Sequence, residues 1–201
     1  MNKDNKYVVL NMKTLFNDGE SKEVLSKLIN EFECDKNVDI ESFLKKDSIK
    51  FSKQNFTETF FVFCKEKDKF LFVGYFAITY KFLEIEDIVL TGKDKQEFKK
   101  FIFEENGKKY IGMPLIAQLG KNYYNGFDKK IDGDVLLRFA LNRVKTAQNI
   151  IGGSFVYLEC ENVEYLKSFY TKNGFKYFGE RDIEEGKTLL QLAKNMKKFE
   201  V

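Results

Sequence analysis

The residues best suited to chemistry lie between Gln118 and Asp134. Gln118-Leu-Gly-Lys-Asn122 ends an apolar run, Gly126 and Gly133 bracket the loop that follows, and the loop carries Lys121, Lys129 and Lys130. A helix opening at Gly133 and Asp134 would present backbone amides with no partner inside the helix, and such a cradle suits a diphosphate. The same residues also read as an ordinary solvated loop before a helix. Other chemistries are excluded outright. The chain has no histidine, which removes Ser-His-Asp and Cys-His catalysis and every histidine-containing metal site. Cys34, Cys64 and Cys160 are odd in number and without CxxC spacing. They support neither a zinc ribbon nor a disulfide framework, and they fit a reducing compartment.

The elements that must position this loop follow from periodicity. Tyr7 to Leu10 reads as a strand, and Val24, Leu25, Leu28, Ile29 and Phe32 recur at helical spacing. Ile40, Phe43, Leu44 and Phe51 mark a second helix, with Asp39 as its expected N-cap. The period then changes. Thr59 to Cys64 and Phe70 to Tyr80 form a hairpin signal around a Lys/Glu/Asp-rich turn. Thr91 to Lys109 reads as an irregular or helical surface excursion. Met113 to Leu119 suits a buried strand, with Pro114 expected at a strand start or bulge because it has no amide hydrogen. An amphipathic helix over Asp134 to Gln148, a strand over Phe155 to Cys160 and a helix over Val163 to Asn173 follow. Gly174 is the expected left-handed C-cap of that helix. Two strands, Lys176 to Arg181 and Thr188 to Ala193, complete an α/β sheet with helices on its faces.

The 201 residues correspond to about one domain, and no linker or repeat divides them, so a single domain over residues 1–201 is expected. Hydrophobic residues make up 43% of the chain, enough for a core. The net charge of +3 does not announce a nucleic-acid binder. The start Met-Asn-Lys-Asp-Asn-Lys has no apolar signal region, and the longest uncharged stretch is shorter than a membrane span. A soluble, cytoplasmic protein without a membrane partner is the expectation.

Several blocks resemble one family. Met113-Pro-Leu-Ile-Ala-Gln-Leu119, then Gly133-x-x-Leu-Leu137, then a strand, then Leu166-x-x-Phe-Tyr170-x-x-x-Gly-Phe175 is similar to the GCN5-related N-acetyltransferases over residues 113–193. Phe32-Glu-Cys34, Ile40-x-x-Phe-Leu44, Thr59-Phe-Phe-Val62 and Gly74-Tyr-Phe76 resemble the branch that contains acetyltransferase toxins of toxin/antitoxin operons. The resemblance implies a mixed, mostly antiparallel twisted sheet, helices on both faces, and a split between two central parallel strands that receives acetyl-CoA. It implies metal-free transfer of acetyl to a primary amine in a ternary complex. Backbone groups of Leu119, Gly120 and Lys121 would bind the acetyl and pantetheine groups. The loop through Lys129 and Lys130 to Gly133 and Asp134 would bind the diphosphate. Tyr170 would be the general acid that protonates the CoA thiolate, a role a positioned phenol can fill. As residues alone, Tyr170 also reads as a packing partner of Phe169.

The phosphate loop departs from the family pattern. With Gly133 as its last position, Asp128 stands first, Ile131 replaces a glycine, and the loop is about two residues longer. Candidate bases are Glu159, Glu161, Glu84 and Glu86. A base is dispensable for an α-amine, whose pKa near 7.7–8.0 leaves a neutral fraction at pH 7. The acceptor is therefore a small molecule, a peptide or an aminoacyl-tRNA. The last of these needs a basic face, for which Lys95, Lys99, Lys100, Lys108 and Lys109 are candidates. A toxin would carry an antitoxin partner, and the chain would be a monomer or homodimer. A non-catalytic module that binds CoA or a partner on the same fold is the competing reading.

Overall fold

A computed structural model describes residues 6–16, 19–85, 90–183 and 186–200. Strands β1 (Tyr7–Asn11), β2 (Glu58–Glu66), β3 (Lys69–Glu84), β4 (Ile102–Glu105), β5 (Lys108–Lys121), β6 (Phe155–Glu161), β7 (Lys176–Ile183) and β8 (Lys187–Asn195) form one sheet. Its order is β1-β2-β3-β5-β6-β8-β7, with β4 paired to β5. The β1–β2, β2–β3, β4–β5, β6–β8 and β7–β8 pairings are antiparallel, and β5–β6 is parallel. Helices α1 (Gly19–Asn30), α2 (Val38–Ser42), α3 (Ser48–Lys53), α4 (Gly92–Lys99), α5 (Gly133–Ile151) and α6 (Glu164–Lys172) complete the α/β architecture.

The chain divides into two units, one of residues 1–79 and 118–141, the other of residues 80–117 and 142–201. Each has its own core. In the first, Leu25 and Ile29 of α1 pack with Phe32, Leu44, Phe61, Phe72 and Tyr75. Val24, on the same helix, is exposed. The cap of α2 is Asn37 rather than the expected Asp39: its side-chain oxygen accepts from the amides of Asp39 and Ile40. A neutral amide two residues earlier reaches the free N–H groups, and Asp39 instead places its charge in the first turn, where it favours the helix dipole. Between α2 and α3, Phe43–Asp47 widens into a π-helical turn, and the Ser48 hydroxyl donates to the Leu44 carbonyl at 2.5 Å. The β2–β3 hairpin turns through Lys67 and Asp68, with Lys67 at φ 54°.

In the second unit, Ile111, Met113 and Leu115 of β5 pack with Phe98, Phe155, Tyr157 and Phe178. The region expected to be irregular or helical is α4 followed by a β4–β5 hairpin. Asn106 and Gly107 form its two-residue turn, with φ 51° and 75°, the two positive values a type I′ turn requires. Pro114 lies inside β5, not at a strand start. One register pair, Leu115↔Tyr157, joins β5 to β6, whereas β6 pairs with β8 along its whole length. Thin pairing beside Pro114 is what a residue with no amide hydrogen produces.

Candidate functional site

All seven residues expected on the cofactor side, Leu119, Gly120, Lys121, Lys129, Lys130, Gly133 and Asp134, belong to the first unit. Gly120 is buried near the end of β5 in a place no side chain fits: a Cβ there would lie 2.5 Å from Cγ2 of Ile40 on α2. Gly74 of β3 is equally confined: a Cβ there would lie 2.7 Å from the Gly120 carbonyl oxygen. The strand end is thus held between β3 and α2 with its backbone close to both.

After β5, the chain makes a helical turn region, Tyr124–Lys130, in which Asn125 and Gly126 adopt φ 51° and 72°. Ile131 then runs extended at φ −140°, ψ 137°, and is buried. The left-handed conformation that a glycine would supply at this position is not needed, because Asn125 and Gly126 make the turn five residues earlier. The Asp132 carbonyl accepts from the amides of Val135 and Leu136, and α5 begins at Gly133 with Asp134 in its first turn.

The three lysines differ. Lys121 turns its ammonium into the loop, donating to the Asp128 carbonyl at 2.8 Å and to the Ile131 carbonyl at 3.2 Å. Lys130 pairs with Glu66 at 2.9 Å, and its carbonyl accepts from the Tyr7 hydroxyl at 2.8 Å. Lys129 is exposed. The loop therefore has one internal cation, braced by carbonyls of the same loop.

One residue that sequence reasoning missed organises this region. Asn122 is fully buried, and its side chain uses all four hydrogen-bonding positions. Oδ1 accepts from the amides of Glu33 and Tyr124, both at 3.1 Å, and Nδ2 donates to the carbonyls of Phe72 at 2.9 Å and Glu31 at 3.3 Å. Nothing in the sequence marks this asparagine, because an isolated Asn after a strand is most often a turn residue.

Tyr170 belongs to the second unit, in the last turn of α6. A Schellman motif ends this helix: the Phe175 amide donates to the Tyr170 carbonyl at 3.0 Å, and the amide of Gly174, at φ 80°, donates to Thr171 at 2.9 Å. The accompanying apolar contact joins the rings of Tyr170 and Phe175, 5.8 Å apart. Phe169 packs on the other neighbour side at 5.0 Å. Lys194 ties the end down by donating to the Asn173 carbonyl at 2.5 Å. Tyr170 is 9% exposed. Burial first, then the nearby Cys160, pushes its phenol well above the ordinary value, so it keeps its proton at neutral pH. Burial likewise raises the Cys160 thiol to about 11.

The carboxylates considered as bases are engaged or exposed. Glu159 accepts from Arg181 at 2.7 and 3.0 Å and from Gln191 at 3.1 Å. Glu84 pairs with Lys108 at 2.9 Å, Glu161 is exposed, and Glu86 lies outside the described residues. Of the five lysines named as a basic face, Lys100 pairs with Glu97, whose carboxyl its two lysine partners Lys100 and Lys197 lower to about 2, and Lys108 pairs with Glu84.

No family model matches the sequence, and no curated protein matches it. Solved structures do. A tyrosine-to-phenylalanine mutant of KacT is 16% identical with a TM-score of 0.62, covering 92% of this chain and 94% of that one. AtaT complexed with acetyl-methionyl-tRNAfMet is 18% identical with a TM-score of 0.61, covering 92% and 93%. A mutant AtaT toxin bound to the C-terminus of its antitoxin AtaR and to acetyl-CoA is 16% identical with a TM-score of 0.59, covering 96% and 94%. Strand order, the parallel β5–β6 pair and these likenesses agree: the chain has the fold of the GCN5-related N-acetyltransferases.

Proposed function

We propose that the chain is an acetyl-CoA-dependent N-acetyltransferase acting, as one domain, on a primary amine. The observation that carries this reading is the loop from Lys121 to Asp134, which leads into the N-terminus of a 19-residue helix with an ammonium group inside it. Amides at a helix start and a nearby cation are the donor set a diphosphate requires. Lys121 takes the charge-balancing role, since Lys130 is paired with Glu66. Bound acetyl-CoA supplies the thioester that the amine attacks. Backbone groups of Leu119 to Lys121 orient it, and Tyr170 gives its phenolic proton to the thiolate as the C–S bond breaks. The acceptor's surplus proton leaves to water.

The engaged state of Glu159 and Glu84 supports an acceptor that needs no base, which favours α-amines over lysine side chains. Aminoacyl-tRNA is an acceptor of this kind. That second reading, with an antitoxin as partner, gains support from the likeness to AtaT complexed with acetyl-methionyl-tRNAfMet and to the antitoxin-bound form. The test is release of free CoA from acetyl-CoA with a panel of amines, peptides and aminoacyl-tRNA. Turnover with an α-amine supports the proposal. Acetyl-CoA binding with no turnover on any acceptor leaves only the non-catalytic binding module.

A further inference from the structure

We infer that Asn122 is a positioning residue that couples the phosphate loop to the segment between α1 and α2. This rests on the acetyltransferase reading above. The side chain joins three stretches of backbone: Glu31 and Glu33 after α1, Phe72 on β3, and Tyr124 at the start of the loop. The backbone repeats the link on both sides, because the Asn122 amide donates to Val73 at 2.9 Å and the Tyr123 amide donates to Glu33 at 2.8 Å. Two carbonyls facing Nδ2 and two amides facing Oδ1 fix the amide's orientation, and no donor or acceptor is left over.

The segment held in this way is the one that leads to α2. Ile40 of α2 lies against Gly120, and the Ile40 carbonyl accepts from the Tyr75 hydroxyl at 2.5 Å. The strand end proposed to orient the acetyl group is therefore covered by the very segment that Asn122 ties to the phosphate loop. Ordering the loop around a diphosphate fixes Tyr124, Tyr124 fixes Asn122, and Asn122 fixes residues 31–34. Occupying the donor site thus steadies the α1–α2 segment.

The experiment is amide hydrogen exchange of the intact protein with and without acetyl-CoA, on the wild type and on Asn122→Ala. In the wild type, acetyl-CoA slows exchange in residues 121–135 and also, by about fivefold or more, in residues 31–42. In Asn122→Ala the loop is still protected and residues 31–42 are not. Wild-type protection confined to the loop overturns the coupling and leaves the acetyltransferase reading standing. Equal protection of 31–42 in the variant overturns the role of Asn122. Absence of any acetyl-CoA binding overturns the underlying reading and the coupling together. The wild-type measurement needs no variant, and Asn122→Asp, which keeps both acceptor bonds and loses both donors, takes the place of Asn122→Ala should that protein not fold.

Discussion

Tyr170 combines two properties that usually compete, a ring packed as a core residue and a hydroxyl proposed for proton transfer. Its neighbours Phe169 and Phe175 hold the ring by edge contacts, so removing only the oxygen leaves the packing intact. Tyr170→Phe is expected to lower kcat for acetyl transfer at least about tenfold, a positioned acid being commonly worth about 10²–10⁴, with little change in Tm. Unchanged turnover would remove the phenol from the mechanism. The tyrosines also set a limit at high pH. Burial raises the phenols of Tyr75, Tyr157 and Tyr170 above the ordinary value of about 10. Groups whose folded pKa exceeds the unfolded one contribute stability that is complete below the unfolded value and lost as pH rises through the folded value. Tm is therefore expected to hold between about pH 7 and 9 and to fall above about pH 10, together with the appearance of tyrosinate absorbance. Loss of stability without tyrosinate would point elsewhere.

At the scale of elements, much was legible from the sequence. The β2–β3 hairpin, the helix from Gly133 and the helix closed by Gly174 all follow from periodicity and glycine placement. What escaped were features that depend on partners. The choice of Asn37 over Asp39 as a cap turns on which oxygen reaches the amides. The Asn106-Gly107 turn is a legible hairpin signal inside a lysine-rich stretch. Asn122 is invisible without its four partners, and the engagement of Glu159 depends on Arg181, 22 residues away in sequence. Two glycines test the geometry. Gly174→Ala puts a Cβ at φ 80°, which costs on the order of 1–2 kcal/mol and loosens the end of α6, measurable as a lower Tm and a lower kcat. Gly120→Ala drives a methyl group into Ile40 and costs about 1–3 kcal/mol. Shortening the neighbour in Gly120→Ala/Ile40→Ala should recover part of that loss. A double mutant no more stable than the sum of the singles would show that the contact does not set the strand's position.

The whole molecule keeps two cores and leaves one conspicuous set of rings outside them. Tyr80, Phe82, Phe103 and Tyr110 follow one another at 5.6, 6.1 and 5.7 Å across β3, β4 and β5. Phe82 is 67% exposed, whereas Phe98, against Phe155 and Phe178, is fully buried. Stability should therefore respond very unequally to two similar deletions: Phe98→Ala is expected to cost about 3–5 kcal/mol, and Phe82→Ser no more than about 0.5 kcal/mol. Comparable losses in denaturant titrations would mean that the exposed rings carry weight the packing does not suggest.

The close of α6 adds an electrostatic effect to the geometric one. Carbonyl dipoles accumulate toward the end of a helix, and Tyr170 sits in that final turn, where the accumulated potential is negative. A phenolate formed there would face that potential, so the peptide dipoles join burial in holding the proton on oxygen. Any handover of that proton then draws on the basicity of the group that receives it, and the backbone sets a floor on how basic that group must be.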